Sequence, residues 1–279
     1  MPALGKRRPR HRAPLVTAAR PRRVALVELP EAPGAASRPA PLVIPLTSGR
    51  PAWQLAGDDD AVRSLAVLLA VLDLAPPGPL LEMVGDAPEH ALLAAAYSTR
   101  LVRAVASDGL VAHAARQAAA SNALPVVVEE RRLGAPPGPT LDDYAATTAL
   151  EPAVLHVGPG VDVAALLAGG SDVLAVHRPW VVVTASDHDE RAASPVDRAV
   201  AQSYGLTTEM GVTGSRRMYV LAPEAAPAAL AGRAEAWADA LSSALSTARE
   251  RAAAAVHGTV HGTGVLDLRN TGSAARSVP

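Results

Sequence analysis

The chain has 279 residues, of which 49% are hydrophobic, with a formal net charge of −1. That suits one domain with tails or two small domains, and it gives the molecule as a whole no electrostatic pull toward nucleic acid or membrane. The absence of cysteine excludes disulfides, thiolate metal sites and a cysteine nucleophile.

Residues 1–23 hold eight of the 26 lysines and arginines, among them Arg7, Arg8, Arg10 and Arg12. By composition this is a disordered basic arm. It reads either as a contact to a polyanion or as a solubilising tail, and no aromatic residue is interleaved for base stacking. No secretion signal is expected there, because no apolar stretch and cleavage site adjoin the basic residues. No apolar run reaches the roughly 18–20 residues that span a bilayer. A cytoplasmic protein is expected.

Apolar runs at 24–29 and 42–46 predict two strands of a small N-terminal hairpin. Residues 58–74 predict a helix. Three aspartates at its start favour the helix dipole, and Val62, Leu65, Leu68, Leu69 and Leu72 recur at helical spacing. Strands are then predicted at 80–84, 101–106, 124–128, 154–157, 180–183 and 218–221. Helices are predicted between them at 88–97, 110–121, 140–150, 161–167 and 195–204, with Thr140 as an N-cap. Short apolar runs alternating with amphipathic helices mean βα units and a mainly parallel sheet buried on both faces. Beyond Pro223 an Ala-rich helix is expected to about residue 257, then a disordered tail over 258–279. His257 and His261 stand four residues apart, the spacing of a helical metal pair, but Gly258 and Gly262 argue against a helix and no third ligand is evident.

Thr140-Leu141-Asp142-Asp143-Tyr144, Val154-Leu155-His156-Val157-Gly158-Pro159-Gly160 and His177-Arg178-Pro179 follow one another in an order and spacing that resemble the FkbM family of S-adenosylmethionine-dependent methyltransferases. Thr140-Leu141-Asp142-Asp143-Tyr144 is similar to that family's T-L-D-D-hydrophobe helix start. Val154-Leu155-His156-Val157-Gly158-Pro159-Gly160 stands where the family has a strand ending in I-D-V-E-G, and Ala165-Leu166-Leu167-Ala168-Gly169 where its helix ends. His177-Arg178-Pro179, followed by Trp180-Val181-Val182-Val183, is similar to an H-x-P before an apolar strand. Ala201-Gln202-Ser203-Tyr204-Gly205-Leu206 resembles a helix ending in L-G-Y. The resemblance covers residues 50–222. It implies a three-layer Rossmann-like α/β methyltransferase fold over 24–222, S-adenosylmethionine as cofactor, and O-methyl transfer to a small molecule or sugar.

The same resemblance places the site at the carboxyl ends of the strands. Gly85 is the glycine of the first turn, with Pro88 where another glycine would stand. Glu82 and Asp86 are candidates for the cofactor's cationic amino group; in the other reading they cap the strand end and the helix start. Ala106 occupies the place of the ribose-binding acid, and Asp108 is the substitute two residues on, unless Asp108-Gly109 is simply a turn. Gly160 is kept from I-D-V-E-G, while Val157 and Pro159 replace its acids. His156 offers a general base, although strand alternation aims it away from the face of Val157. Asp187 and His188, with Asp189 and Glu190, follow the fifth strand as a base or as a solvated charge run. No metal is expected at the site. The departures from the motif leave a second reading open, a non-catalytic methyltransferase fold serving as an interaction module through the basic arm or the C-terminal helix. A dehydrogenase would need a G-x-G-x-x-G turn, and the chain has none.

Overall fold

Val- and Leu-rich runs of four to seven residues are too short to bury themselves as helices, and they assemble into one sheet. The computed structural model describes residues 25–27, 42–44, 59–85, 88–134, 137–186, 196, 204, 206–211, 216–223 and 227–261. The basic arm, most of the 195–204 helix, Asp86, and Asp187 with His188 lie outside the described residues.

Strands β1 (Ala25–Val27) and β2 (Leu42–Ile44) pair antiparallel, as the two N-terminal runs predict. Helix α1 (Asp59–Leu74) leads into β3 (Leu80–Val84), α2 (Glu89–Tyr97), β4 (Val102–Ala106), α3 (Gly109–Ser121) and β5 (Val126–Glu130). Then come α4 (Leu141–Thr148), β6 (Val154–Val157), α5 (Val163–Ala168), a π-helical turn at Val173–His177 and β7 (Trp180–Ser186). Strands β8 (Leu206–Gly211) and β9 (Arg216–Ala222) precede the long helix α6 (Pro227–His261).

The seven-stranded sheet runs β5-β4-β3-β6-β7-β9-β8. The first five strands are parallel; β9 runs antiparallel to both β7 and β8. Every residue of β3 and β6 is buried, the pattern of central strands covered on both faces. Leu80, Val102, Val154 and Val182 point to the layer of α1, α2 and α6. Leu81, Val105, Leu155 and Val181 point to the layer of α4 and α5. This is the expected Rossmann-like α/β fold with a mostly parallel sheet.

Three local differences have physical causes. Strand β5 starts at Val126 and not at 124, because Pro125 has no N–H to give a ladder and Ala123 turns the chain at φ +51°. Strand β8 appears where the sequence shows no apolar run; it stands at the edge of the sheet and joins it through β9 alone. Helix α6 runs through Gly258 to His261, so that glycine does not end it; a helix already long tolerates the roughly 1 kcal/mol a glycine costs.

Capping follows the sequence closely. Thr140 Oγ1 accepts the Asp143 N–H at 3.0 Å and the Asp143 carboxylate accepts the Thr140 N–H at 3.0 Å, a complete capping box. The Asp142 carboxylate reaches across to accept the N–H groups of Asp172 and Val173, tying α4 to the π-helical turn.

Candidate functional site

Strand β4 lies on one side of β3 and β6 on the other, so the chain reverses its direction of travel between β3 and β6. Ligands of open α/β sheets bind outside the carboxyl ends of the strands at such a switch point. Gly85, just past β3, and the Gly158–Pro159–Gly160 turn, just past β6, occupy it. The Gly158 N–H donates to the Met83 carbonyl at 2.9 Å, which continues the ladder by one step. A Cβ on Gly85 would collide with the Pro159 carbonyl, and one on Gly158 would come within 3.0 Å of Gly85 N. Gly160 turns the chain at φ +82°. The missing side chain of Gly85 therefore lets two turns pack together, and its backbone faces Pro159 at that contact.

On the neighbouring strand, Ser107 and Asp108 are exposed past the end of β4. Asp108 Oδ1 accepts the N–H groups of Leu110 (2.7 Å) and Val111 (3.1 Å), which makes it the N-cap of α3. Its turn role is therefore real, and the carboxylate still stands at the carboxyl edge. Beside it is a residue that sequence reasoning passed over. Glu130 closes β5, pairs across the sheet with Ala106 and is exposed. Its carboxylate lies 3.0 Å from where a Cβ of Gly109 would be, at the positive end of α3. The signal was present in Val126-Val127-Val128-Glu129-Glu130, an apolar run ending in two acids.

Glu82 does not reach this edge. It is the third of five residues in β3, on the face toward α1 and α2, and only 1% exposed. Its carboxylate meets His156 Nδ1 at 2.6 Å, and His156 stands opposite it in β6. It is neither an amino-group ligand at the edge nor a cap of the strand end. His156 Nε2 lies 3.1 Å from Thr184 Oγ1, and the His156 ring is tilted against His90 with centroids 4.5 Å apart. His90 Nε2 in turn lies 2.8 Å from Ser64 Oγ. A polar cluster thus sits inside the apolar layer. Burial pushes the Glu82 carboxyl up to about 8, opposed by the charge of His90, and burial pushes the His156 imidazole down to about 3. His156 has no exposed surface and therefore cannot serve a reaction at the sheet edge.

Val157 is buried with the α4–α5 layer, so the end of β6 offers no acid. On the same layer, deeper between β4 and β5, Glu129 accepts from Arg103 (3.0 Å) and from the Tyr144 hydroxyl (2.9 Å). Among the described residues the edge presents the exposed carboxylates of Asp108 and Glu130 on adjacent strand ends, and beyond the Gly160 turn that of Asp162, the N-cap of α5. No helix of the described residues is long and apolar enough to cross a membrane.

No protein-family model and no curated protein sequence matches the chain. Among solved structures, it is similar to the N-terminal domain of human METTL16 in complex with SAH, at 12% identity and a TM-score of 0.41, over 54% of this chain and 63% of that one. It is also similar to the precorrin-6y C5,15-methyltransferase of Geobacter metallireducens, at 15% identity and a TM-score of 0.40, over 56% and 85%. The Bacillus subtilis m1A22 tRNA methyltransferase TrmK is similar at 12% identity and a TM-score of 0.39, over 55% and 63%. The strand order carries the fold independently of these likenesses.

Proposed function

We propose that this chain is an S-adenosylmethionine-binding, methyltransferase-like protein of the FkbM type, with O-methyl transfer to a small molecule or sugar as its activity. The observation that carries the reading is the switch point, where Gly85 and Gly160 line the turns and Asp108 and Glu130 stand exposed on the adjacent strand ends. Two neighbouring carboxylates suit the vicinal hydroxyls of a ribose, so the nucleoside end of the cofactor fits the residues present. Glu130 and Asp108 are its holders.

The bound cofactor supplies an electrophilic methyl group. The chain's own task is to align an acceptor hydroxyl and to take its proton. Asp187 and His188 are the proposed base, because they follow Ser186, the last residue of β7, in the chain.

A second reading, a non-catalytic fold used as an interaction module, has a specific observation in its favour. The methionine end of the cofactor needs open backbone at the first turn, and the Pro159 carbonyl covers Gly85 there. Calorimetric titration with S-adenosylmethionine and S-adenosylhomocysteine separates the two. Micromolar binding that weakens at least tenfold in Glu130→Ala or Asp108→Ala supports the cofactor reading. No heat at millimolar ligand overturns it in favour of the interaction module.

A further inference from the structure

We propose that Glu82, His90 and His156 form a buried site for one divalent transition-metal cation of the zinc class. Each offers a ligand atom, and these atoms all lie within 4.8 Å of one another. Two imidazoles and a carboxylate are a donor set that zinc accepts and that calcium or magnesium, which prefer oxygen, do not. The donors come from three elements, β3, α2 and β6, so a cation here would fasten α2 to the centre of the sheet.

The surroundings are those of a ligating pair of histidines. Thr184 Oγ1 sits 3.1 Å from His156 Nε2, on the nitrogen opposite the one that meets Glu82. Ser64 Oγ sits 2.8 Å from His90 Nε2. Such hydroxyl partners orient ligand rings and set their tautomers. Zinc–ligand bonds of about 2.0–2.1 Å place tetrahedral ligand atoms roughly 3.3 Å apart. The 2.6 Å Glu82–His156 contact therefore has to open by less than an ångström, and donor atoms up to 4.8 Å apart have to close, to admit the ion. The three side chains are 1%, 9% and 0% exposed, which leaves no approach for a substrate. The cation's role is structural, independent of any cofactor at the sheet edge.

The test uses the full chain, stripped with a chelator, reloaded with Zn²⁺ or Co²⁺ and desalted before metal analysis. One equivalent of metal per chain is expected, with visible bands that report Co²⁺ held by two imidazoles and a carboxylate. His90→Gln should lower retained metal at least tenfold, and the tail variant His257→Asn/His261→Asn should leave it unchanged. Retention well below one equivalent, retention indifferent to His90→Gln, or loss in the tail variant overturns the proposal. If circular dichroism shows His90→Gln unfolded, the wild-type chain decides. Co²⁺ should selectively perturb the backbone amide resonances of Ser64, His90 and Thr184, and perturbation confined to other histidines overturns the site.

Discussion

In the metal-free chain, Glu82 and His156 hold one proton between them over a wide range of pH, and this has a consequence for stability. The Glu82 value is raised from 4.5 to about 8, so its contribution is intact below 4.5 and is lost as pH rises through about 8. The His156 value is lowered from 6.5 to about 3, so its contribution is intact above 6.5 and is lost as pH falls through about 3. Between 4.5 and 6.5 the folded pair and the unfolded chain bind the same single proton. Thermal midpoints should therefore be level in that window and decline toward pH 8 and toward pH 3. Glu82→Gln should abolish the alkaline decline, and a decline of unchanged slope would refute the assignment. Tyr97 offers a simpler case. Its hydroxyl oxygen is buried with no hydrogen-bond partner among the described residues, while its ring meets Trp237 edge-on at 5.0 Å. Tyr97→Phe should leave stability unchanged or raise it by about 1 kcal/mol in urea denaturation. None of this was legible in the sequence, because the partner of Glu82 lies 74 positions away and only the register of β3 on β6 joins them. A carboxylate three residues before a glycine turn reads as an edge residue until the strand face is known. Glu130 failed to draw notice for the opposite reason: its place at the edge depends on where β5 ends, and Pro125 moves that strand two residues along.

At the scale of elements, Arg100 closes α1. Its guanidinium donates to the carbonyls of Leu72, Ala75, Pro76 and Gly78 at 2.6–3.1 Å, satisfying the end of the helix and the turn that follows. Arg100→Ala should cost about 2–3 kcal/mol, with Arg100→Lys recovering only part, because an ammonium cannot span four acceptors from one planar group. Gly85 is the equivalent point at the switch. Gly85→Ala forces the Pro159 carbonyl away and should destabilise by about 2–3 kcal/mol; a neutral result in denaturant titration would show that the two turns move apart freely. The helices and central strands were legible because their periodicity and caps are local, as with Thr140 and Asp143. Helix α6 was legible as a helix but not as part of the core. Its buried stripe, Leu230, Ala234, Trp237, Leu241 and Leu245, is sparse among alanines, and only α1 beneath it reveals the purpose.

For the whole molecule, α6 completes the layer over α1 and α2. Trp237 is 1% exposed and donates from Nε1 to the Asp73 carboxylate at 2.9 Å, which Arg233 also engages at 2.7 Å. Trp237→Ala should cost about 3–5 kcal/mol, a large part of what holds an ordinary domain together, and circular dichroism should show a broadened or absent melting transition. The eight cations of residues 1–23, a segment with no acid, make the proposed polyanion contact a matter of distribution and not of total charge. Removing that segment takes the formal net charge from −1 to −9. Elution from heparin should then fall to the salt of the void volume; retention of the truncated chain would place the contact elsewhere.

The pairing of Asp73 with Trp237 joins residues 164 positions apart. A ribosome adding about 5–20 residues per second needs roughly ten to thirty seconds to cover that distance. Throughout that interval the nascent α1, apolar on nearly every side, has no α6 to cover it. Newly made chains should therefore depend on holding chaperones until the last helix emerges, whatever the stability of the finished protein.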